Sequence, residues 1–329
     1  KRPSVASNFF DLGGHSLLAT QVISRIRQQF ALELPLRTLF ETPTIRGIAR
    51  HIAQSTTAEG IPMPDRPPMV PIARTGDLPL SFAQQRLWFI DQLEGAGSGY
   101  VISGVLRLCG SLDQAALHKS LNNVVQRQES LRTTFATVDG QPVQRIADRL
   151  TIALLVVDLT HLPSAEQLPY CQELIFADVQ QPFALDTGPL LRCTLYQLAT
   201  DDFVLAATMH HIISDGWSIG VLCNEMIEHY RQQKTGVAAR LPELQIQVAD
   251  VAQWQRQWLQ GEELQQQLNY WKEQLADAPA LLELPTDRLR SNTPSFRSDS
   301  VPFTLSPALT QQLNQLSAET GSTLFMTLL

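Results

Sequence analysis

Apolar positions near the N-terminus recur at helical spacing: Leu17, Leu18, Val22, Ile23, Ile26 and Phe30, with Ser24, Arg25, Arg27 and Gln28 between them. An apolar residue every three or four positions lines one side of a helix, so this stretch predicts an amphipathic helix. Pro35 and the pair Thr42–Pro43 then break the pattern. A short helix is expected over Ile45–Ile52, because proline commonly stands just before a helix start. Further along, the period alternates. Leu112–Gln128 reads as an amphipathic helix, Leu150–Asp158 as a strand rich in β-branched residues, and Leu168–Gln181 as a helix. Leu190–Leu198 and the strongly apolar Phe203–Met209 read as strands. Ser218–Lys234 reads as a helix striped by Ile219, Leu222, Met226, Ile227 and Tyr230. This alternation predicts an α/β or α+β layered architecture.

Between the patterned regions, residues 55–77 carry Pro62, Pro64, Pro67, Pro68 and Pro71. Proline withholds an N–H donor and stiffens the backbone toward an extended form. The stretch is therefore expected to be a linker separating a helical unit, 1–54, from a larger unit, 78–329. The first is too short to bury much surface unaided.

With 329 residues, about two domains are expected at ~150 residues each. A hydrophobic share of 44% against 17% charged supplies a core and excludes global disorder. The net charge of −7 argues against a nucleic-acid binder, which needs a basic face. No apolar run approaches the ~18 residues of a membrane span, and the start, Lys1, does not resemble a signal peptide. The chain thus reads as a cytoplasmic piece of something longer. Cys109, Cys171, Cys193 and Cys223 are scattered without C-x-x-C spacing. Free thiols in a reducing compartment are expected from them, not a zinc site or a disulfide framework.

Two strings carry candidate chemistry. The first is Asp11-Leu12-Gly13-Gly14-His15-Ser16-Leu17. Its glycines let the backbone turn and leave the Ser16 hydroxyl unshielded at a helix start. Free N–H groups and the helix dipole favour a phosphate there; an ordinary N-cap is the competing role for Ser16. The second string is His210-His211-Ile212-Ile213-Ser214-Asp215-Gly216, at the end of the Phe203–Met209 strand. Consecutive strand side chains point to opposite faces, so one histidine faces a reaction channel and the other the fold. Imidazole titrates near neutrality, which suits proton transfer with an amine. Asp215 lies on the following turn, and Gly216 would allow a tight approach before the next helix. Core histidines, a metal pair or surface residues compete with this reading. A third metal ligand at recognisable spacing is lacking.

The first string closely resembles the phosphopantetheine attachment site of peptidyl carrier domains in nonribosomal peptide synthetases, over Phe9 to Ile52, with the family's first helix apparently missing. The resemblance implies that Ser16 carries 4′-phosphopantetheine in a small, partial all-α carrier bundle. The second string resembles the signature of condensation domains, in the chloramphenicol-acetyltransferase-like superfamily. Leu80–Phe89 (LSFAQQRLWF) and Gln128–Phe135 (QESLRTTF) resemble further motifs, the latter with Gln128 where a histidine is usual. Ala249–Gln255 (ADVAQWQ) resembles another, with Val251 replacing an aromatic residue. This resemblance implies an α/β N-terminal lobe over 78–329, ending near the crossover to a second lobe. It also implies His211 as the catalytic histidine, with His210, Gly216 and Arg132 in support. Asp215 would be structural and paired with Arg132.

The wording around the motifs is similar to the subtype that joins an L-configured donor to an L-configured acceptor. The implied reaction is amide-bond formation between a carrier-bound donor thioester and a downstream aminoacyl thioester. Partners are then an upstream adenylation domain, a downstream carrier and a phosphopantetheinyl transferase, with no metal, nucleic acid or membrane. Two alternatives stand beside it. One is an epimerising or acyl-transferring relative on the same fold; the other is a catalytically silent carrier and docking segment.

Overall fold

The computed structural model describes residues 4–10, 12–14, 16–30, 32, 34–57, 67–94, 98–281, 283, 285–288, 301–320 and 322–329. The chain forms two compact units, residues 1–66 with 292–329, and residues 67–291. The elements begin with α1 (Ser16–Phe30), α2 (Leu36–Glu41) and α3 (Ile45–Thr57). Next come β1 (Leu78–Pro79), α4 (Phe82–Glu94), β2 (Val101–Cys109), α5 (Gln114–Arg127), β3 (Thr133–Val138), β4 (Gln141–Ile146) and β5 (Leu154–Asp158). They continue with α6 (Ser164–Val179), β6 (Leu191–Ala199), β7 (Asp202–His210), α7 (Gly216–Thr235), α8 (Val248–Trp258) and α9 (Gly261–Gln274). Finally, α10 (Pro307–Thr320) and α11 (Leu324–Leu328) are joined by a hydroxyl contact of 2.7 Å between Ser317 and Thr327.

At the N-terminus, Ala19 and Ile23 of α1, Leu39 of α2, Ile48 of α3 and the intervening Leu34 form a core. Phe9, Val22 and Ile26 pack against it. The Phe9 N–H donates to the Pro43 carbonyl at 2.6 Å, and Phe10 stacks on Phe40 with centroids 5.1 Å apart. The loop before α1 is thereby stapled to the turn before α3. Phe30, placed on the apolar stripe by its spacing, is 51% exposed at the end of α1. The side chain of Leu17 lies outside the described residues. Helix α2, only six residues long, carries too little pattern to register as a period.

In the larger unit a four-stranded sheet runs β2-β7-β6-β5, antiparallel except for the parallel pair β5 and β6. Alternate residues of β7 serve two layers. Phe203, Leu205, Ala207 and Met209 join a core with Leu117 and Leu121 of α5 and Leu222 and Met226 of α7. Val204 and Ala206 join a second core with Cys171 of α6. Residues 203–210 are all buried, which explains why this strand reads as a continuous apolar run. Ile227, expected on the α7 stripe, is 59% exposed instead. The strand expected from Leu150 begins at Leu154, because the Ile152 N–H is taken by Asn122 Oδ1 at 2.7 Å and leaves the ladder. β2 and the β3–β4 hairpin carry no clear alternation in the sequence and are seen only in the structure.

Residues 67–77, read from the sequence as the second half of a linker, are fastened to the larger unit. The Pro67 carbonyl accepts from Trp254 Nε1 at 2.7 Å, and the Ile72 N–H donates to Asp250 Oδ1 at 2.8 Å. Arg74 grips both Asp250 oxygens at 2.7 and 2.8 Å and reaches Glu129 Oε2 at 2.8 Å through Nε. Residues 78 and 79 then add β1 to the edge of β4. Proline content excludes helix and inner strand here but does not report these side-chain partners. Residues 58–66 lie outside the described residues.

The Asp250 side chain is 1% exposed. Burial would raise its carboxyl, but hydrogen bonds from Arg74, the Gln247 N–H and the Ile72 N–H outweigh that and hold it below the usual carboxylate range. The contribution is therefore complete above the ~3.9 of an unfolded aspartate and is lost as pH falls through the lower folded value. Asp250→Asn should cost about 2 kcal/mol at neutral pH, with the gap to wild type closing as pH drops below ~4. Urea unfolding from pH 6 to 3 measures this, and a gap independent of pH would refute the charged clamp.

Candidate functional site

The central strand β7 ends at His210, and the turn to α7 holds the rest of the histidine string. Two backbone bonds set where the ladder stops. The His210 N–H donates to the Leu190 carbonyl at 3.1 Å on the β6 side. The His211 N–H donates to the Tyr100 carbonyl at 2.7 Å on the β2 side. The two side chains then diverge, as strand geometry requires.

His210 is 2% exposed, with Phe183 edge-on to its ring at 6.5 Å between centroids. Its Nδ1 accepts the Ile212 N–H at 3.1 Å, so the proton of the neutral ring sits on Nε2. Burial, reinforced by the neighbouring His211, pushes its pKa down to about 4. His210 is thus a neutral brace for the turn. His211 is half-buried, and its ring has no hydrogen-bond partner among the described residues.

Asp215 caps α7. Its Oδ1 accepts the Ser218 N–H at 2.8 Å and the Ser218 hydroxyl at 2.7 Å, and its own N–H donates back to Ser218 Oγ at 3.3 Å. Partial burial would raise this carboxyl. The hydrogen bonds from Ser218 outweigh that and hold it low. The carboxylate is therefore charged at neutral pH.

The expected Asp215–Arg132 pair does not form. Arg132, in the 3₁₀ turn Glu129–Arg132, donates through Nη1 to the Ala147 carbonyl and lies 3.7 Å from Glu129 Oε1 through Nη2. It ties its own turn to the end of β4, while Asp215 Oδ1 is taken by the cap. Gly216 is not needed for a close approach either, since nothing lies within 4 Å of where its Cβ would be. Gln128, at the position where a histidine was expected, donates to the buried Glu225 Oε1 at 2.9 Å and links α5 to α7.

Sequence reasoning missed Arg74 and placed no role on Asp250. The signal was the aspartate in the ADVAQWQ string, whose partner lies 176 positions away. No group of three or more His, Cys, Asp or Glu side chains suited to a metal ion occurs among the described residues.

In the N-terminal unit Ser16 is the first residue of α1. Gly14 precedes it with its Cβ position only 2.4 Å from the Phe9 ring and 2.5 Å from the Phe9 carbonyl oxygen, so no larger residue fits. Gly13 turns the loop at φ +90°. The first turn of α1 holds no acidic side chain. Asp11 and His15, and the side chain of Ser16, lie outside the described residues.

Fold and site together define a class: a layered α/β unit with a histidine pair at the end of its central strand, preceded in the chain by a small helical unit. Family models agree in both parts, a phosphopantetheine attachment site over residues 1–52 and a condensation domain over residues 74–329. The chain belongs to the condensation-domain family of nonribosomal peptide synthetases. It is 47% identical over 325 residues to one of the linear gramicidin synthase subunits of Brevibacillus parabrevis, a match covering 99% of this chain and 6% of the relative. It is 39% identical over 329 residues to malpinin synthetase of Mortierella alpina, covering 100% and 4%.

Among solved structures, the X-domain in complex with OxyB from teicoplanin biosynthesis is 31% identical, with a TM-score of 0.67 over 78% of this chain and 56% of that one. The first condensation domain of the CDA synthetase shares the fold at 21% identity and a TM-score of 0.63, over 76% and 59%. The chain thus spans only a few per cent of its synthetase relatives and little more than half of these single domains.

The attachment-site model matched over residues 1–52 is for 4′-phosphopantetheine, and Ser16, expected from the sequence to hold it, begins α1. A serine oxygen is the atom the phosphodiester needs, and a helix N-terminus whose first turn has no acidic residue favours the phosphate charge.

Because the folded His210 ring binds its proton at about 4 and an unfolded one at ~6.5, the unfolded state takes up protons first. Stability from the neutral ring is complete above pH ~6.5 and falls between there and pH ~4, by about 3 kcal/mol. His210→Asn, which keeps an acceptor near the Nδ1 position, should flatten this slope. Unfolding free energies from pH 7 to 4 decide it, and equal slopes in both proteins would contradict a buried neutral ring.

Proposed function

We propose that the chain acts as the donor-side carrier and the condensation catalyst of a nonribosomal peptide synthetase. The observation that carries this reading is His211, half-buried where the central strand ends and four residues before the Asp215 cap of α7. On this reading residues 1–54 are the carrier, and condensation begins beyond the proline-rich stretch. When bound at Ser16, phosphopantetheine supplies the thiol on which the donor acyl group is presented.

The acceptor amine attacks the donor carbonyl. The C–N bond forms, the C–S bond breaks, and the sulfur leaves to be protonated as a thiol. An α-amine with a pKa near ~8 is partly neutral at physiological pH, so no extreme base is needed. His211 takes the proton that the amine sheds, or donates a hydrogen bond to the developing tetrahedral oxygen. The Asp215 carboxylate, held charged at the cap of α7, favours the imidazolium in the first case. Holding two tethered reactants in register supplies much of the remaining acceleration.

The acceptor comes from a downstream carrier, the donor is loaded through an upstream adenylation domain, and a phosphopantetheinyl transferase installs the arm. The string around His211 supports joining of an L-donor to an L-acceptor. A cytoplasmic site of action is supported by four free cysteines; among the described residues no helix is long and apolar enough to cross a membrane.

His211→Ala in the synthetase that carries this segment should lower amide product at least a hundredfold, followed by mass spectrometry of the carrier-bound product; near-normal turnover would overturn the assignment. Ser16→Ala should abolish the single mass gain seen on treatment with coenzyme A and a phosphopantetheinyl transferase. A gain that persists in the variant would move the attachment site elsewhere.

A further inference from the structure

A cavity of about 190 Å³ lies beside the histidine turn, between the end of α5, the start of α7 and the start of α8. Its wall is aliphatic where Met209, Val221 and Val248 contribute, and polar where Gln128, Ser130 and Ser214 do. No charged side chain lines it among the described residues. Ser214 is 7% exposed, and its hydroxyl is buried with no hydrogen-bond partner. Ser214 is thus a polar residue of the cavity wall whose hydroxyl no group of the described residues engages. Engineered cavities of about 150 Å³ admit benzene, so this volume accommodates a Val-, Leu- or Thr-sized group.

The cavity also shares its wall with the candidate catalytic turn. Met209 stands two residues before His211 and Ser214 three after it. Three steps of 3.8 Å bound the His211–Ser214 Cα separation at about 11 Å, within reach of a side chain on an aminoacyl group reacting at His211. Its chemistry selects against charge, because a carboxylate or ammonium would be desolvated there with no counter-ion.

We propose that this cavity is a specificity pocket for the side chain of one of the two reacting aminoacyl groups, a neutral one of branched aliphatic or hydroxylated type. Ser214, on rotating its hydroxyl toward the cavity, pairs with a hydroxyl on that side chain, and Val221 sets the depth. The proposal rests on the condensation reading above, and the experiment below separates the two.

Two arms test it. In the first, the synthetase carrying this segment is supplied with glycyl, leucyl, valyl, threonyl or aspartyl groups, varied on the donor carrier and on the acceptor carrier separately. Val221→Phe should lower the leucyl-to-glycyl ratio of kcat/KM at least tenfold on one side only, which identifies the substrate that enters. Ser214→Ala should lower the threonyl-to-valyl ratio severalfold on the same side. Should Val221→Phe fail to fold, Val221→Leu, one methylene larger, carries the same comparison. Ratios unchanged on both sides overturn the proposal.

In the second arm, isobutanol and acetate are titrated into the chain itself while the methyl resonances of Val221 and Met209 are followed. Saturable shifts with isobutanol, weak or absent with acetate and lost in the Val221 variant, support the pocket without any turnover. Absence of such shifts overturns it. Shifts in a chain whose synthetase turns over no substrate would retain the pocket and discard the condensation reading.

Discussion

Strand β7 is buried on both faces and hydrogen-bonded along both edges, and the placement of everything chemical in the larger unit depends on that. A strand so enclosed must pair every N–H and C=O with a neighbour, since water cannot reach them. β6 and β2 do this as far as His210 and His211, where the last two bonds go to opposite sides, to the Leu190 and Tyr100 carbonyls. The ladder ends there, and the alternation of side chains ends with it. One imidazole is left inside the fold as a neutral brace and the other at the surface of the turn. A slip of one residue would exchange them.

The turn itself is held by short-range chemistry. Asp215 and Ser218 close a capping box at the start of α7, and His210 Nδ1 holds the Ile212 N–H. Such local bonds give the histidine string its shape without help from Arg132, whose guanidinium serves the 3₁₀ turn and β4 instead. The resemblance implied a long-range ion pair at this point. A helix cap holds the turn there instead, because Asp215 satisfies N–H groups in the first turn of α7.

Long-range electrostatics act elsewhere. Arg74, Asp250, Glu129 and Gln247 form one network in which the Asp250 carboxylate is shared by two backbone N–H groups and a bidentate guanidinium. Gln247 Oε1 accepts the Glu129 N–H at 3.2 Å, and its amide nitrogen donates to the Arg127 carbonyl at 3.0 Å. A segment that has no secondary structure of its own is thus tied to the C-terminal end of α5 and the start of α8. That end of α5 also supplies Val124 and Gln128 to the cavity next to the histidine turn.

The amino-acid order alone determined the local features: the helical stripe of α1, the apolar run of β7, the glycines before Ser16 and the histidine string. Each is encoded in residues a few positions apart, where periodicity and steric freedom act directly. The fate of the two histidines was half legible, since alternation requires them to diverge but does not say which one is buried. Tertiary structure made that choice through Phe183 and the core around it. It also decided the partners of Arg132, Arg74 and Asp250, the late start of β5 at Leu154, and the cavity around Ser214. Those depend on which of many possible donors and acceptors meet across tens to hundreds of residues, and a one-dimensional pattern carries no distance between them.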